Sequence, residues 1–387
     1  MLRRRPRAAF ALFVAAVASS ALAACGPPPA PGPAFDHTDP ITLGTGGVPG
    51  NGSASGASVS ADGRWTAFRS AASNLVAGDT NGVADAFVRD NRTGAVTRIA
   101  ESTLEAPMIS RNGRYIGLKF ADGFTYGVHD RTTGVTSTWN GAASQSVPVV
   151  TDDGTRAVYG AGSSFGIFAT YCMVRNLAAG TTTSCPWGPA EYGSVALAGV
   201  SGNGRFVMYH WNDQSGGGTS AYYLWDLETD QRTVLAGTFV SLGVSNVVSD
   251  DGSTIFAAGF GATLPPHIFD VGSGTAAPFP GSPDGTVMPT GISPDGRWFA
   301  AASDATNLAP GDTNGAVDVF LLDRSDDSVT MVSRAFDSDG VLGLGGWNCG
   351  KFAGQVLDGG RACLLAADEI SPADSNGAVD GFLTPAR

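Results

Sequence analysis

Short apolar runs along this chain are separated at regular intervals by an Asp-Gly or Asn-Gly pair. The pattern is clearest in Ser-Ala-Asp-Gly-Arg-Trp-Thr-Ala-Phe, residues 60–68, and in Ser-Pro-Asp-Gly-Arg-Trp-Phe-Ala-Ala, residues 293–301. It occurs seven times, with the glycine of the pair at Gly63, Gly113, Gly154, Gly204, Gly252, Gly296 and Gly359. Asp and Asn tolerate, and Gly favours, the positive φ of a tight hairpin, so each pair predicts a turn between two strands. Repeats spaced by roughly 40 to 60 residues are typical of propellers and other repeat arrays.

Each repeat predicts four strands. In the first repeat they are 57–60, 64–69, 86–90 and 96–99, and the alternation of Trp65 and Ala67 marks one face of the second strand. Later second strands are predicted at 115–120, 157–159, 206–209, 255–258, 298–301 and 362–365, and later third strands at 126–130, 171–175, 222–226, 267–270, 319–323 and 381–384. Each four-stranded sheet buries one face against the next, and ring closure removes the exposed ends. The expected fold is therefore all-β, a seven-bladed β-propeller of four-stranded antiparallel blades.

The two ends of the chain predict how the ring closes. The seventh repeat has a third strand at 381–384, but the sequence leaves no room for a fourth before Arg387. Ile41–Leu43 precedes the first repeat and belongs to no unit. We expect this N-terminal strand to complete the last blade as its outer strand. The alternative is that 40–56 is a loop.

The repeat strings resemble a known family. Residues 293–301 and the run Val-Asp-Val-Phe-Leu-Leu-Asp at 317–323 are similar to the WD-like propeller repeats of the TolB type. The resemblance covers residues 40–387 and is most specific in the first and sixth repeats. It implies a propeller that binds proteins or serves as an accessory domain, and it carries no catalytic residue onto this chain.

The first 24 residues are predicted to be a lipoprotein signal peptide. Arg3, Arg4, Arg5 and Arg7 precede an apolar stretch that is too short for a comfortable membrane span. Leu22-Ala-Ala-Cys25 resembles a bacterial lipobox, which implies that Cys25 is lipidated, carries palmitate-type acyl chains and anchors the protein outside the cytoplasmic membrane. An ordinary secretory signal is the alternative. Residues 25–39 are predicted to be a Pro-rich linker, and residues 40–387 the propeller domain.

Charge narrows the range of partners. Residues 1–24 contain four Arg and no acidic residue, so the mature chain has 19 basic residues against 35 acidic ones, a net charge of −16. Such a surface repels nucleic acid and anionic lipid headgroups, so nucleic acid is not expected as a partner. The chain is also Gly-rich, with 54 of 387 residues, and only 15% charged, which favours a turn-rich β protein. We expect a monomer.

Four cysteines besides Cys25 are expected to form disulfides in an exported protein. Cys172 and Cys185 flank a hairpin centred on residues 178–179, which places them on opposed residues. Cys349 and Cys363 flank the turn at Gly359 but are offset, so their pairing requires a bulge or an asymmetric loop.

One acidic motif occurs in three loops between second and third strands. Asp79-Thr-Asn81-Gly-Val-Ala-Asp85 recurs as Asp312-Thr-Asn314-Gly-Ala-Val-Asp318 and as Asp374-Ser-Asn376-Gly-Ala-Val-Asp380. The spacing overlays the third to ninth positions of an EF-hand-type calcium loop, so calcium is a candidate cofactor. The first position would fall on Ala77, Pro310 and Pro372, which offer no side-chain oxygen, and the Glu of the twelfth position is absent. The alternative is an Asx-turn in which Asp79 and its equivalents, Asp312 and Asp374, cap backbone donors before the third strand begins.

Other motifs carry little chemistry. Gly162-Ser-Ser-Phe-Gly166 matches a nucleophile elbow, but it lies in a loop of an all-β unit without a strand-to-helix turn. Of His37, His129, His210 and His267, none has metal-ligand spacing to another. His210-Trp211-Asn212-Asp213, after the second strand of the fourth repeat, is the best candidate for a ligand-contact loop, although Trp211 would equally suit the core.

These observations predict no enzyme. The leading hypothesis is a membrane-anchored extracytoplasmic lipoprotein whose propeller is a non-catalytic binding platform for a protein or an envelope polymer. One alternative is a propeller lyase or hydrolase acting on an envelope or extracellular polymer, in which His residues or paired carboxylates would converge at the channel mouth. Another is a structural or sensory envelope component stabilised by calcium.

Overall fold

The repeated turns build a set of antiparallel sheets. A computed structural model describes residues 39–40, 42–143, 146–162, 171–186, 193–213, 220–235, 246–257, 266–310, 312, 317–332, 356–357, 361–366 and 380–383. All regular elements in these ranges are strands. The part of the chain that the structure describes contains no apolar helix of membrane-spanning length.

The strands run in chain order from sheet to sheet. After β1 (Asp39–Pro40), the first repeat forms β2 (Ala54–Val59), β3 (Trp65–Ser70), β4 (Asp85–Asp90) and β5 (Ala95–Ala100). The second forms β6 (Met108–Ile109), β7 (Tyr115–Lys119), β8 (Thr125–Asp130) and β9 (Val135–Asn140). The third and fourth form β10 (Val149–Val150), β11 (Arg156–Ala161), β12 (Tyr171–Asn176), β13 (Thr181–Ser184), β14 (Gly193–Val200), β15 (Phe206–Asp213), β16 (Ser220–Asp226) and β17 (Arg232–Leu235). The fifth and sixth form β18 (Val247–Val248), β19 (Thr254–Ala257), β20 (His267–Asp270), β21 (Thr275–Pro278), β22 (Val287–Ile292), β23 (Trp298–Ser303), β24 (Asp318–Asp323) and β25 (Ser328–Met331). The chain's last strands are β26 (Val356–Leu357), β27 (Arg361–Ala366) and β28 (Asp380–Leu383).

The sheet order confirms a propeller arrangement of four-stranded antiparallel sheets. Four of them keep chain order: β2 to β5, β6 to β9, β18 to β21 and β22 to β25. The third and fourth repeats depart from the prediction, because a pairing of Tyr171 with Ala196 joins β12 to β14 and merges their strands into one eight-stranded sheet. The described strands do not show seven closed blades, so the seven-bladed ring remains a prediction.

The N-terminal segment pairs with the end of the chain, two residues earlier than predicted. Asp39 and Pro40 pair with Leu383 and Phe382, in a sheet ordered β1, β28, β27, β26. The expected strand 41–43 is wrong in its register. The Arg89 guanidinium donates at 3.0 Å to the Leu43 carbonyl, so that carbonyl is used by a side chain of β4 instead of a strand ladder.

A Ser or Thr two residues before the Asp or Asn fixes each turn. The Ser60 hydroxyl donates to Asp62 Oδ1 at 2.6 Å and accepts from the Trp65 N–H at 3.0 Å, while Asp62 Oδ1 also accepts from the Arg64 N–H. The same arrangement occurs at Ser110 with Asn112, Thr151 with Asp153, Ser201 with Asn203, Ser249 with Asp251 and Ser293 with Asp295. The repeated residue pattern is therefore a hydrogen-bonded turn in six described repeats, as the Asx-type chemistry of these residues predicts.

The glycine of the turn also provides room for the preceding blade. Gly154 has a φ of +69°, and a Cβ there would overlap the ring of Tyr115 from the second repeat. A Cβ on Gly252 would lie 2.5 Å from Phe206 of the fourth repeat. Glycine is thus required for backbone conformation and for contact between blades.

An arginine after the glycine locks the second strand to the third. Arg114 forms a two-bond pair with Asp130, with Nη2 to Oδ2 at 2.9 Å, and lies over the Tyr115 ring. The hydrogen bond from Arg114 lowers the pKa of Asp130 to about 2. Equivalent pairs join Arg64 to Asp90, Arg205 to Asp226 and Arg297 to Asp323. The arginines of these pairs are 36% to 49% exposed, so solvent screens the pairs, and we expect them to set geometry more than stability.

The predicted hairpin disulfide is present. Met173 pairs with Ser184, and the next residues outward, Cys172 and Cys185, form a disulfide with a Cα–Cα distance of 5.3 Å. The prediction for this bridge is confirmed. Of the second predicted pair, Cys349 lies outside the described residues and Cys363 lies in β27, where it pairs across the sheet with Leu383.

Candidate functional site

The acidic loop of the first repeat is organised around an arginine. Arg98 Nη1 lies 3.1 Å from Asp85 Oδ2 and 3.4 Å from Asp79 Oδ1, and both carboxylates are buried. The Asn81 side-chain amide donates to both oxygens of Asp85, and Asn81 Oδ1 accepts from the Val83 N–H. The Arg98 guanidinium therefore lies between carboxylate oxygens that were predicted to bind calcium. An Asx-turn is present, but Asn81 forms it, whereas the sequence predicted it at Asp79.

The equivalent loop of the sixth repeat differs at one position. Asp312 and Asp318 are buried like their counterparts, and Asp318 pairs with Ser303 as Asp85 pairs with Ser70. Met331 takes the position of Arg98, since Phe320 pairs with Met331 as Phe87 pairs with Arg98. Asn314, Asp374 and Asn376 lie outside the described residues, and Asp380 begins β28.

Calcium at these loops stays a prediction. Within the described ranges, no group of three or more His, Cys, Asp or Glu residues is placed to hold a metal ion. Melting temperature measured with calcium and with a chelator tests the prediction directly.

The histidines lie in strands. His210 is inside β15 and buried, with its ring 4.6 Å from that of Tyr222, and burial lowers its pKa. Trp211 is buried in the core beside it. The proposal of a ligand-contact loop at these two residues is therefore wrong, because the strand extends to Asp213. His129 is also buried, with Nδ1 2.9 Å from the Thr136 hydroxyl. His267 begins β20. His37 and residues 163–166 of the elbow-like motif are outside the described residues.

The structure reveals a charged cluster that the sequence reading missed. Arg111, in the second repeat's turn, donates through Nη2 to the Ile292 carbonyl of the sixth repeat at 3.0 Å. Its Nε lies 3.1 Å from Asp250 Oδ2 of the fifth repeat. A Cβ on Gly202, in the fourth repeat's turn, would overlap the same guanidinium. One side chain of the second repeat thus contacts residues at the turns of the fourth, fifth and sixth repeats.

Asp152 lies beside this cluster. Its Oδ1 accepts from the Asn112 N–H at 3.1 Å, as Asp250 Oδ1 accepts from the Asn203 N–H at 3.0 Å. Burial raises the pKa of Asp152, and the negative charge of Asp250 adds to the rise, whereas Arg111 opposes it. Two carboxylates therefore converge on one arginine at the inner ends of the blades. We call Arg111, Asp152 and Asp250 the turn-end cluster.

The turn-end cluster joins residues of different repeats at the ends of their first strands. Neighbouring first strands contact one another in the pairs β2 with β6, β6 with β10, β14 with β18, β18 with β22, and β22 with β26. Arg111 is only 5% exposed.

The opposite end, where second strands lead to third strands, carries exposed aromatic side chains. Phe124, before β8, is 55% exposed, and Tyr171, at the start of β12, is 50% exposed. They flank residues 141–143: the Gly141 N–H donates to the Phe124 carbonyl, and a Cβ on Gly162 would lie 3.3 Å from Tyr171 and 4.0 Å from Ala142. We call this end of the molecule the loop face.

A buried aromatic cluster supports these residues from below. The Tyr126 hydroxyl donates to the Ala142 carbonyl at 2.7 Å, and the Tyr126 and Tyr159 ring centroids are 4.5 Å apart. Trp139 Nε1 donates to the Tyr159 hydroxyl at 3.2 Å. Lys119 is fully buried with Nζ 3.5 Å from the Tyr126 ring centroid, and burial lowers its pKa to about 8.

The sequence alone did not indicate the turn-end cluster or the exposed aromatic residues of the loop face. Arg111 occupies an ordinary turn position, and its partners are as far as 181 residues away. Phe124 and Tyr171 stand among many aromatic residues, of which most are buried. The sequence indicated only that residues 111, 152 and 250 occupy the same position in their turns, directly after the Ser or Thr.

The comparisons with known proteins show the fold. No family model matches the chain, and no curated protein matches its sequence. Among solved structures, it is similar to an oligogalacturonate lyase from Vibrio parahaemolyticus, with a TM-score of 0.52 and 10% identity over 92% of this chain and 98% of that one. It is also similar to the β-propeller domain of the Trilobed protease from Pyrococcus furiosus, with a TM-score of 0.50 and 13% identity over 72% and 83%. A weaker similarity, with a TM-score of 0.41 and 14% identity, is to TolB from Acinetobacter baumannii, over 73% of this chain and 64% of TolB.

The chain is therefore a β-propeller protein. At these identities the similarity extends to the fold and no further. It nevertheless corrects the expectation that the protein is not an enzyme. Propellers of this fold include a lyase and the propeller domain of a protease, so the lack of a catalytic motif in the sequence does not exclude catalysis.

Proposed function

We propose that this protein is an exported lipoprotein whose propeller binds a protein or an envelope polymer through its loop face. The anchor is the lipidated Cys25, and the protein acts outside the cytoplasmic membrane. Support comes from the cationic and apolar residues before Leu22-Ala-Ala-Cys25 and from the Pro-rich segment after it. Replacing Cys25 with Ser is expected to move the protein from the membrane fraction to the soluble fraction and to remove the mass of the acyl chains.

The proposed propeller is a closed ring of seven blades. The seven turn repeats support it, and so does the pairing of β1 with β28. The first repeat's β2 also contacts β27 and β28 of the last sheet. In this arrangement the eight-stranded sheet is two neighbouring blades whose edges touch at Tyr171.

The contrast between the two ends of the blades is the observation that carries the proposal. At the turn end, Arg111 contacts the fifth and sixth repeats and is only 5% exposed, so its guanidinium is engaged by the protein's own groups. The loop face presents Phe124 and Tyr171 to solvent over a packed aromatic support. Exposed aromatic groups on a rigid base are the usual anchors of binding surfaces.

Affinity capture tests the proposal. The full-length lipoprotein, purified in detergent, serves as bait for detergent-solubilised envelope, and bound proteins and polymers are quantified by mass spectrometry. We expect the double variant Phe124→Ala, Tyr171→Ala to lose the specifically captured partner. The matched control is Val135→Ala, Val234→Ala, since these apolar side chains are equally exposed, at 57% and 58%, but lie on outer strands. Equal capture by all three proteins would overturn the proposal.

The turn-end cluster favours a second candidate, an enzyme acting on an envelope or extracellular polymer. Two carboxylates beside an arginine, one with a raised pKa, are the kind of set that general acid–base catalysis uses. Turnover in a screen of glycans and esters that disappears in Asp152→Asn, while the melting temperature is kept, would assign catalysis to this cluster. Turnover unaffected by that substitution would exclude the cluster as its site.

A further inference from the structure

Four exposed apolar residues lie near one another on the loop face. Phe124, Ala142, Ala143 and Tyr171 are all exposed, and residues 141–143 lie between the two aromatic rings. Backbone hydrogen bonds connect them: Gly141 N–H to the Phe124 carbonyl at 3.0 Å and Gly162 N–H to the Ala143 carbonyl at 3.1 Å. We call these four residues the aromatic patch.

The aromatic patch is held in place before any partner binds. Tyr126 fixes the Ala142 carbonyl from below, and its ring packs in a cluster with Trp139 and Tyr159. The Phe124 N–H donates to Asp122 Oδ1 at 2.8 Å, which sets the turn that presents Phe124. A surface ordered in advance loses less entropy on binding.

Acidic side chains border the aromatic patch on the side of the first repeat. The Ala121 N–H donates to the Ser102 carbonyl at 2.8 Å, which brings the end of the first repeat against the turn that carries Phe124. Glu101, next to Ser102, is 61% exposed, and Asp122 is exposed on that turn.

The charges along this border do not cancel. Arg98 contacts three carboxylates, those of Asp79, Asp85 and Glu101, so this group has a net negative charge. The amine of Lys119 is buried over the Tyr126 ring and does not reach the surface. The border is therefore negative, in a chain whose predicted mature form has 19 basic and 35 acidic residues.

We propose that the aromatic patch binds a cationic peptide segment of a protein partner, one with Arg or Lys side chains among its contacts. Aromatic faces attract cations, and a guanidinium also stacks flat on a ring. The acidic border adds complementary charge, which raises the association rate and excludes acidic partners. This inference rests on the proposed function and names the chemistry of its partner.

Fluorescence anisotropy on the full-length protein in detergent tests the inference. The probes are a labelled octa-arginine peptide, an octa-glutamate peptide of the same length, and an uncharged chito-oligosaccharide. We expect only octa-arginine to bind. Phe124→Ala with Tyr171→Ala should weaken its binding roughly tenfold, as expected for loss of two contact aromatics. Glu101→Gln should weaken it less and reduce its dependence on salt.

Val135→Ala with Val234→Ala is the matched control and should bind octa-arginine like the parent. Octa-arginine binding that is insensitive to the aromatic substitutions would mean attraction to the acidic surface in general and would overturn the inference. Binding of the chito-oligosaccharide in place of octa-arginine would also overturn it.

The affinity capture described above separates the two proposals. If the captured partner depends on Phe124 and Tyr171 while octa-arginine does not bind, the proposed function stands and the cationic peptide is wrong. If neither experiment depends on these residues, both are wrong.

Discussion

Replacing Arg111 with Met removes the guanidinium that links the second repeat to the fifth and sixth while keeping an unbranched side chain. The variant loses the hydrogen bond to the Ile292 carbonyl and the contact with Asp250 Oδ2, at 3.0 and 3.1 Å. Removing one partner of a buried ion pair costs about 3 to 5 kcal/mol. Asp250 is 14% exposed and keeps the bond from the Asn203 N–H, so we expect the lower value, about 3 kcal/mol.

This loss should be measurable as a lower melting temperature. Unfolding entropy of about 2.1 cal/mol/K per residue gives about 0.7 kcal/mol/K for a domain of roughly 350 residues, so the midpoint should fall by about 4 °C. Differential scanning calorimetry is the assay. Arg114→Met is the matched control, because Arg114 is 44% exposed in its pair with Asp130. It should change the midpoint by no more than about 1 °C.

The pH dependence gives a second readout. The raised pKa of Asp152 means that the folded chain keeps this proton to higher pH than the unfolded chain, so stability from this group falls as pH rises through that window. The positive charge of Arg111 opposes the rise in the pKa of Asp152, so the loss of Arg111 should raise this pKa further. We expect the deficit of the Met variant to be larger at pH 7 than near pH 4. A variant that melts with the parent at both pH values would refute the role given to Arg111.

Three further predictions concern other described residues. Gly154→Ala should lower the free energy of unfolding by about 2 to 3 kcal/mol, because the alanine would have a positive φ and would clash with an aromatic ring. Gly134→Ala, at φ +71° with no atom within 4 Å, should lower it by only about 1 kcal/mol, and urea denaturation of both variants measures the difference. Lys119→Met should raise the melting temperature at pH 7. The folded chain loses the Lys119 proton near pH 8 and the unfolded chain near pH 10.5, so the parent protein becomes more stable between these pH values. The advantage of the variant should therefore shrink over that range. Arg98→Met places in the first repeat the residue found at Met331 in the sixth. It should lower the free energy of unfolding by about 3 kcal/mol, because the buried carboxylates of Asp79 and Asp85 lose the guanidinium between them. Recovery of stability on adding calcium would support a cation site in this type of loop.

The strand pattern was predictable because it depends on local chemistry. Asp-Gly and Asn-Gly can enter a tight turn that most residues resist, and alternating apolar residues on either side can form paired strands. The second and third strands accordingly begin and end within a few residues of their predicted positions in every repeat. The hairpin disulfide followed for the same reason, since its two cysteines are only 13 residues apart in one hairpin.

Other predictions failed where the outcome depended on burial or register. His210 and Trp211 were predicted to lie in a loop, but β15 continues through them to Asp213, and both side chains are buried. The closing strand lies two residues before the predicted one, because Arg89 holds the Leu43 carbonyl. The local sequence does not indicate which arginine of another strand will donate a hydrogen bond to a particular carbonyl.

The sequence by itself determined the repeat, the turns, the approximate positions of the second and third strands and the acidic character of this protein, because each depends on neighbouring residues or on composition. Only the tertiary structure decided that Arg98 stands between two carboxylates, that Arg111 crosses to the sixth repeat, and that Phe124 and Tyr171 flank one loop. These contacts join residues far apart in the chain or in different sheets. They exist because the blades pack side by side, which brings equivalent positions of different repeats to the same end of the molecule.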